Sequence, residues 1–378
     1  MVRTVWALIQ GTRRLYLVDD TCTFLEPVNR YLEALDIQGK SPNTLESYCR
    51  HLKHYFTFLE EARLDWRAVA PDDLLRFVEW LRNPHRQMQV QPLHLTSRLS
   101  ERSVNTILAA VASFYRYHVQ RGQVLANPVL YEEVSNRFSR FKPFLVHTSR
   151  GKMTRRGVTL REPKRRIRPI GDEAFARFQD ETHNVQFQCI LLLMRDGGLR
   201  VGEVLGLHIQ DLEFHRNGVV IRRRAGLANG ALAKGMVEHE ERFIELTPEV
   251  MALLDHLVLH HTFETDQVFV VLNKSARNQR GESTYGTPLS RHALKAMFRY
   301  YSQKSGIPLH AHLLRHTHAT ELIRAGWDAS YVQQRLGHAN VQTTINTYVH
   351  LDDDDLRQKW QAYQERRAQH VRPTPPAH

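Results

Sequence analysis

From Phe24 to about Val129 apolar residues return every three or four positions, the spacing of helices with one buried face. Val28, Tyr31, Leu32 and Leu35 share one face. Ser41-Pro42-Asn43-Thr44 then opens a longer helix that turns Leu45, Tyr48, Leu52, Tyr55, Phe56 and Leu59 inward. Asp72-Asp73 starts a third helix, running through Phe77 and Leu81. Ser100 or Ser103 caps a fourth, with Val104, Ile107, Leu108, Val111, Phe114 and Tyr115 repeating up to Gly122. This periodicity predicts a bundle of four to five helices. Ahead of it, residues 1–20 alternate in polarity around Gly11-Thr12, which predicts a small hairpin and a structural appendage.

After residue 130 the periodicity stops. Residues 131–168 carry Arg137, Arg140, Lys142, Arg150, Lys152, Arg155, Arg156, Arg161, Lys164, Arg165, Arg166 and Arg168 against three glutamates. Such a stretch is too polar to fold alone and longer than an ordinary loop, so it reads as a basic linker. Helical pattern resumes with Asp172 as a cap, followed by a nearly all-apolar helix through Ile190 to Met194 that must be buried. Val219–Arg222 and Arg242–Leu246 are β-like and bracket a Gly- and Ala-rich tip, predicting a second hairpin. Pro248–His260 and Leu289–Ser305 read as helices, with a strand at Val268–Leu272 between them.

The last third concentrates chemistry. In HAHLLRHTHATELIRAGWDASYVQQRLGHANVQTTINTYVH, beginning at His310, one helix ends at Gly326 and a second runs from Asp328 to Gly337. A short third, capped by Asn340, carries Tyr348. His312 and Arg315 stand three apart, on one helical face. A guanidinium binds two phosphate oxygens at once, and an imidazole donates a hydrogen bond or moves a proton. Tyr348 is a nucleophile only if cationic neighbours and a proton acceptor offset an ordinary pKa of about 10. Taken singly, each of these is as readily an ordinary helix residue.

Together, His312-Leu-Leu-Arg315-His316, Leu336-Gly337-His338 and Thr343-Thr344-Ile-Asn-Thr-Tyr348 resemble the signature of the tyrosine recombinase (phage integrase) family, with Tyr348 ten residues after His338. The resemblance calls for an upstream arginine box, met by Gly197-Gly198-Leu199-Arg200-Val201-Gly202-Glu203. Physically, the glycines permit a tight turn that presents Arg200 at a helix start, and Glu203 one turn later holds its guanidinium. The family also carries a lysine on a β-hairpin. Lys234 is the one lysine between Arg200 and Asn273, although this tip is longer and less charged than the family's, and a solvent-exposed lysine is the rival reading. KSPNTLESY at 40–48 and RSVNTILAAVASFYRYHVQRG from Arg102 look like the family's core-binding domain.

The resemblance implies a mainly α chain with a small β-sheet (α+β). A hairpin extension (1–23), a helical core-binding domain (24–130), the basic linker (131–168), a catalytic domain (169–351) and a C-terminal helix with a tail (352–378) would form a C-shaped clamp on double-stranded DNA. It assigns Arg200, Lys234, His312, Arg315, His338 and the nucleophile Tyr348 to catalysis, supported by Glu203, with no metal and no cofactor. The partners implied are specific recombination sites, a tetramer of this chain at the synapse, and accessory recombination proteins. Contacts to the DNA backbone are expected from Lys53, Arg102, Arg150, Lys152, Arg155, Arg156, Lys164, Arg165 and Arg166, with a salt-sensitive affinity. Arg277, Arg280, Arg291, Lys295, Arg299 and Lys304 are further phosphate contacts without individual roles. An acidic run, Asp352–Asp355, caps a last helix whose Trp360 anchors it on its own domain or on a neighbouring subunit.

Bulk properties agree. A net charge of +12 favours a polyanionic partner. Cys22, Cys49 and Cys189 have neither pairing nor metal spacing, as in a reducing cytosol. No apolar run approaches the roughly 20 residues that span a bilayer, so a soluble, cytoplasmic, nucleoid-associated protein is expected. Rival readings are a type IB topoisomerase or telomere resolvase, a metal hydrolase built on His310, His312, His316 and His318, and a DNA-binding regulator that has lost catalysis.

Overall fold

The computed structural model describes residues 2–9, 12–82, 99–129, 131–134, 153–163, 168–224, 226–233, 236, 240–278, 281–337, 361, 364 and 365. It divides into two compact units, Met1–Lys164 and Arg165–His378, a boundary close to the end of the expected linker.

The first unit opens with the hairpin of strands β1 (Arg3–Ile9) and β2 (Thr12–Val18), paired antiparallel from Arg3 opposite Val18 to Ile9 opposite Thr12. It is an integral part of the unit, because Leu17 is fully buried and the Asn29 side chain exchanges two hydrogen bonds with the Leu17 backbone. Four helices follow among the described residues: α1 (Glu26–Ile37), α2 (Pro42–Ala62), α3 (Pro71–Arg82) and α4 (Glu101–Gln120). Ser41 and Ser100 cap α2 and α4, each accepting from a backbone N–H three residues on. The buried faces of α1 and α3 are the predicted ones. On α2, Leu45 and Tyr48 are only half-buried, packed at the margin of the core.

That core is aromatic. Phe114 of α4 lies within edge-to-face range of Tyr31, Phe56 and Trp66. The hydroxyls of Tyr55 and Tyr115 share a buried 2.6 Å hydrogen bond, and Tyr115 also donates to the Trp66 carbonyl at 2.7 Å, so neither buried phenol is left unsatisfied.

The stretch read as a basic linker carries a short strand pair among its described residues. Strands β3 (Tyr131–Val134) and β4 (Met153–Arg156) pair antiparallel. Beyond them Asn105 of α4 ties the chain down by exchanging hydrogen bonds of 2.9 and 2.8 Å with the Leu160 backbone. Val158 and Leu160 pack against the margin of the aromatic core, so apolar contact and side-chain hydrogen bonds together hold this end of the stretch.

The second unit comprises α5 (Asp172–Asp180), α6 (Val185–Arg195), the short α7 (Val201–Val204), a sheet of β5 (Leu212–Glu213), β6 (Gly218–Arg222) and β7 (Glu241–Glu245), then α8 (Pro248–Leu259), α9 (Arg291–Ser305), α10 (Ala311–Arg324) and α11 (Ala329–Leu336). Sheet order is β5-β6-β7, all antiparallel. Apolar α6 is the centre of the core, packing against α8 and α10.

Two expectations are corrected. Gly171, not Asp172, is the N-cap of α5; Asp172 is its first residue and pairs with Arg195. Val268–Leu272 is extended and mostly buried but is not a strand. Residues 286–289 run antiparallel beside it with a single bridge, Val270 opposite Pro288, while Leu207 and the buried Gln186 side chain take its other backbone groups, so the pairing stops short of a continuous ladder.

Candidate active site

The arginine box folds as its residue types require. Gly198 takes a left-handed conformation (φ +65°), and Arg200 follows as the N-cap of α7. Glu203 sits at the third helical position and is fully buried. One of its oxygens accepts from the Arg200 backbone N–H at 2.8 Å, and the other from Arg200 Nη1 at 2.7 Å. A single carboxylate thus caps the helix and aims the arginine.

The same carboxylate collects two more cations. Arg242 Nη2, from β7, lies 3.1 Å from Glu203 Oε2, and Arg315 Nη1, from α10, lies 3.8 Å from it. Burial is the largest single influence on the Glu203 carboxyl and pushes its pKa up. The guanidiniums of Arg242, Arg200 and Arg315, with the Arg200 N–H, together outweigh it and hold the group below the ordinary range. Three positive charges around one negative leave two unmatched within this cluster.

Arg200 and Arg315 both reach the end of α11. Arg315 Nη2 donates to the Leu336 carbonyl at 2.6 Å, and Arg200 Nη2 to the Gly337 carbonyl at 2.8 Å. Arg315 Nη1 also donates to the Gly198 carbonyl at 2.5 Å, which ties α10 to the arginine box. Asp328 caps α11 and Gly337 ends it in left-handed conformation, as the sequence pattern requires. Arg200 keeps an edge in solvent (25% exposed), whereas Arg315 is nearly enclosed (4%). His312 is exposed on the first turn of α10, one turn before Arg315.

Arg335, on α11 itself, braces this arrangement. Arg335 donates to the carbonyls of Asp196 and Glu245 and to Nε2 of His318. Burial first, and then the Arg335 charge, push the His318 pKa down to about 3, so the imidazole is neutral. The four histidines weighed as a metal site do not converge: His310 caps α10 by accepting from Leu313 N–H, His312 points to solvent, and His316 and His318 are buried in the helix packing. The Phe175 ring and three carboxylates surround Arg195, another structural cation.

Lys234, His338 and Tyr348, and with them Arg150, Lys152, Lys164, Arg165, Arg166, Arg280 and Trp360, lie outside the described residues. Of the remaining residues expected to contact DNA, Lys53 is half-buried on α2, Arg102 is exposed on the first turn of α4, and Arg155 and Arg156 lie in β4. Lys304 is engaged with Glu181, and Arg277 with two carbonyls of its own loop. Arg242 was missed. The available signal was the period of two in β7, which places residue 242 on the same face as the buried Ile244.

Comparison with known proteins agrees with this geometry. Residues 172–355 match the model of the phage integrase family, and residues 28–122 match that of the phage integrase N-terminal SAM-like domain. Transposase A from transposon Tn554 of Staphylococcus aureus is 36% identical over 354 residues, 93% of this chain and 94% of the relative. The chain belongs to the phage integrase family of tyrosine recombinases.

More distant kinship points the same way. Tyrosine recombinase XerA of Thermococcus kodakarensis is 26% identical over 88% of this chain and 93% of its own. Among solved structures, the integrase of transposon Tn1549 in complex with a circular intermediate DNA aligns with a TM-score of 0.59 at 16% identity, covering 89% of this chain and 99% of that one. The shared fold is that of a tyrosine recombinase, mainly helical with small sheets. No described helix is long and apolar enough to cross a membrane.

Proposed function

We propose that this recombinase breaks and rejoins DNA at specific sites through a 3′-phosphotyrosine formed on Tyr348. The observation that carries the reading is the convergence of Arg200 and Arg315 on the two carbonyls, Leu336 and Gly337, that immediately precede His338 in the chain. A phosphate oxygen carries full charge and is a stronger acceptor than a peptide carbonyl, so a scissile phosphodiester takes over guanidinium donors from this end of α11. The two unmatched positive charges of the cluster stabilise the charge that builds on the non-bridging oxygens in the transition state.

In this reading the Tyr348 oxygen forms a bond to phosphorus as the bond to the 5′-oxygen of the next nucleotide breaks. His312 and His338 donate hydrogen bonds or accept the phenol proton, and Lys234 delivers a proton to the leaving 5′-oxygen. Charge is met by arginine, so the step calls for neither metal nor ATP. The covalent linkage keeps the energy of the diester, and a 5′-hydroxyl from another strand reverses the reaction; two such exchanges in a tetramer recombine two duplexes. Similarity to a transposon protein across nearly the whole chain favours a mobile element as the setting. Lys53, Arg102 and the basic residues of 131–168 supply the salt-sensitive grip on the backbone, and accessory recombination proteins complete the assembly.

Covalent trapping tests this. A nicked duplex taken from the DNA flanking the chain's own gene is incubated with the protein in the presence of a chelator. A denaturation-resistant adduct that is lost in Tyr348→Phe is expected. An adduct surviving that change moves the nucleophile elsewhere, and tight binding without any adduct favours a DNA-binding regulator.

A further inference from the structure

We infer that Arg242 is a positioning residue for strand cleavage, holding Glu203 and the Leu336-Gly337 turn in register so that Arg200 and Arg315 meet the same phosphate. This deepens the proposed function and rests on it.

The placement is specific. Arg242 is the second residue of β7, opposite Ile221 of β6, and the pleat that buries Ile244 turns the Arg242 side chain inward, to 12% exposure. There Nη2 meets Glu203 Oε2 at 3.1 Å, on the carboxylate oxygen that also accepts the Arg200 backbone N–H. The other end of the guanidinium fills the place of a side chain at residue 337. A Cβ built on Gly337 would fall 1.7 Å from Arg242 Nη1 and 3.5 Å from Arg200 Nη1. Gly337 therefore has two reasons to be glycine, its left-handed backbone (φ +62°) and the guanidinium packed on it.

Arg242 thus forms a strut between the carboxylate that aims Arg200 and the carbonyls that receive both catalytic arginines. The charged groups facing Glu203 come from three elements: Arg200 from the start of α7, Arg315 from α10 and Arg242 from β7. Remove Arg242 and the carboxylate keeps two cations, both bonded to the turn's carbonyls, but loses the one whose guanidinium fills the side-chain space beside Gly337. Arg200 then gains freedom relative to Gly337. The effect falls on the geometry of the reacting centre and not on the surface that grips DNA.

The experiment compares the wild type with Arg242→Ala, Arg242→Lys, Gly337→Ala and the Arg242→Ala/Gly337→Ala double variant, using the same nicked duplex and following the rate of adduct formation. Arg242→Ala is expected to slow the adduct by roughly 10- to 100-fold, the usual cost of losing a group that orients a reacting residue, with duplex affinity unchanged. Its acid limb should move to higher pH, because Glu203 has lost a neighbouring positive charge; Arg242→Lys should return that limb towards wild type. Gly337→Ala should cost less in the Arg242→Ala background than alone, since the guanidinium it displaces is already gone. A wild-type rate in Arg242→Ala, or losses that multiply in the double variant, would overturn the inference and leave the proposed function standing. If the wild type itself forms no adduct on a duplex it binds, both fall.

Discussion

The two units bury very different kinds of side chain. In the first, the buried core is rings and aliphatic groups, and His118 is the only imidazole or charged side chain buried among its described residues. In the second, Glu203, Asp211, Arg315, His316 and His318 are buried as well. A buried charge is stable only when paired and hydrogen-bonded, and here each carboxylate is met by more than one arginine: Glu203 by three, Asp211 by Arg222 and Arg224. The bundle behaves as a scaffold whose stability lies in packed area. The second unit accepts costly desolvation, and the proposed chemistry on a phosphodiester would require such fixed cations in a partly dry place.

Glu203→Ala should separate the two units most sharply. It leaves Arg200, Arg242 and Arg315 without their shared counter-charge, and adduct formation should fall by at least about 10²-fold, as when a preorganised donor is lost. Urea denaturation should register a loss of about 3–5 kcal/mol, the usual cost of breaking a buried ion pair from one side. Near-wild-type cleavage in this variant would refute the hub.

Phe114→Ala is the counterpart in the bundle. It removes a fully buried ring at the centre of the aromatic cluster and should cost about 3–5 kcal/mol, read as a shift of the denaturation midpoint. The trapped-adduct rate of the folded fraction at saturating DNA should stay close to wild type. A selective collapse of the chemical step would mean that the bundle does more than hold its fold.

Acid should weaken the second unit through His318. His318 has a lowered pKa of about 3 in the folded protein and an ordinary one near 6.5 when unfolded. Its neutral burial therefore contributes stability that is complete above about pH 6.5 and is lost progressively as pH falls towards 3. Glu203, also lowered when folded, contributes stability above its unfolded value, and loses it only in stronger acid. Denaturation midpoints measured from pH 7 down to pH 4.5 should decline, and His318→Gln should flatten the decline. An equally steep decline in that variant would assign it to other groups.

Tyr55→Phe is the smallest expected effect, about 1 kcal/mol. Tyr115 still donates to the Trp66 carbonyl, so no buried group is stranded. A loss well beyond that would show the phenol pair to be a more cooperative part of the bundle than its geometry indicates.

Much of this molecule was legible before any coordinates. Helix existence followed from apolar periodicity and from the punctuation at Ser41, Ser100, Asp328 and Gly337, which act through local backbone geometry and therefore show in local sequence. The pairing of Arg200 with Glu203 is equally local, being one helical turn. The β3–β4 pairing inside the connector and the partners of the Val268–Leu272 segment were not legible, because those hydrogen bonds go to distant residues that composition does not reveal.

What the sequence alone determined is the list of residues and the helices that carry them, since spacing and capping depend on near neighbours. Only the tertiary structure decided that Arg242 shares the Glu203 carboxylate, that Arg335 bridges α11 to β7, and that Arg315 is enclosed while Arg200 keeps an open edge. Those facts join residues far apart in the chain. Electrostatic contact depends on distance in space, and the order of residues along a polymer does not encode that distance until the core has packed.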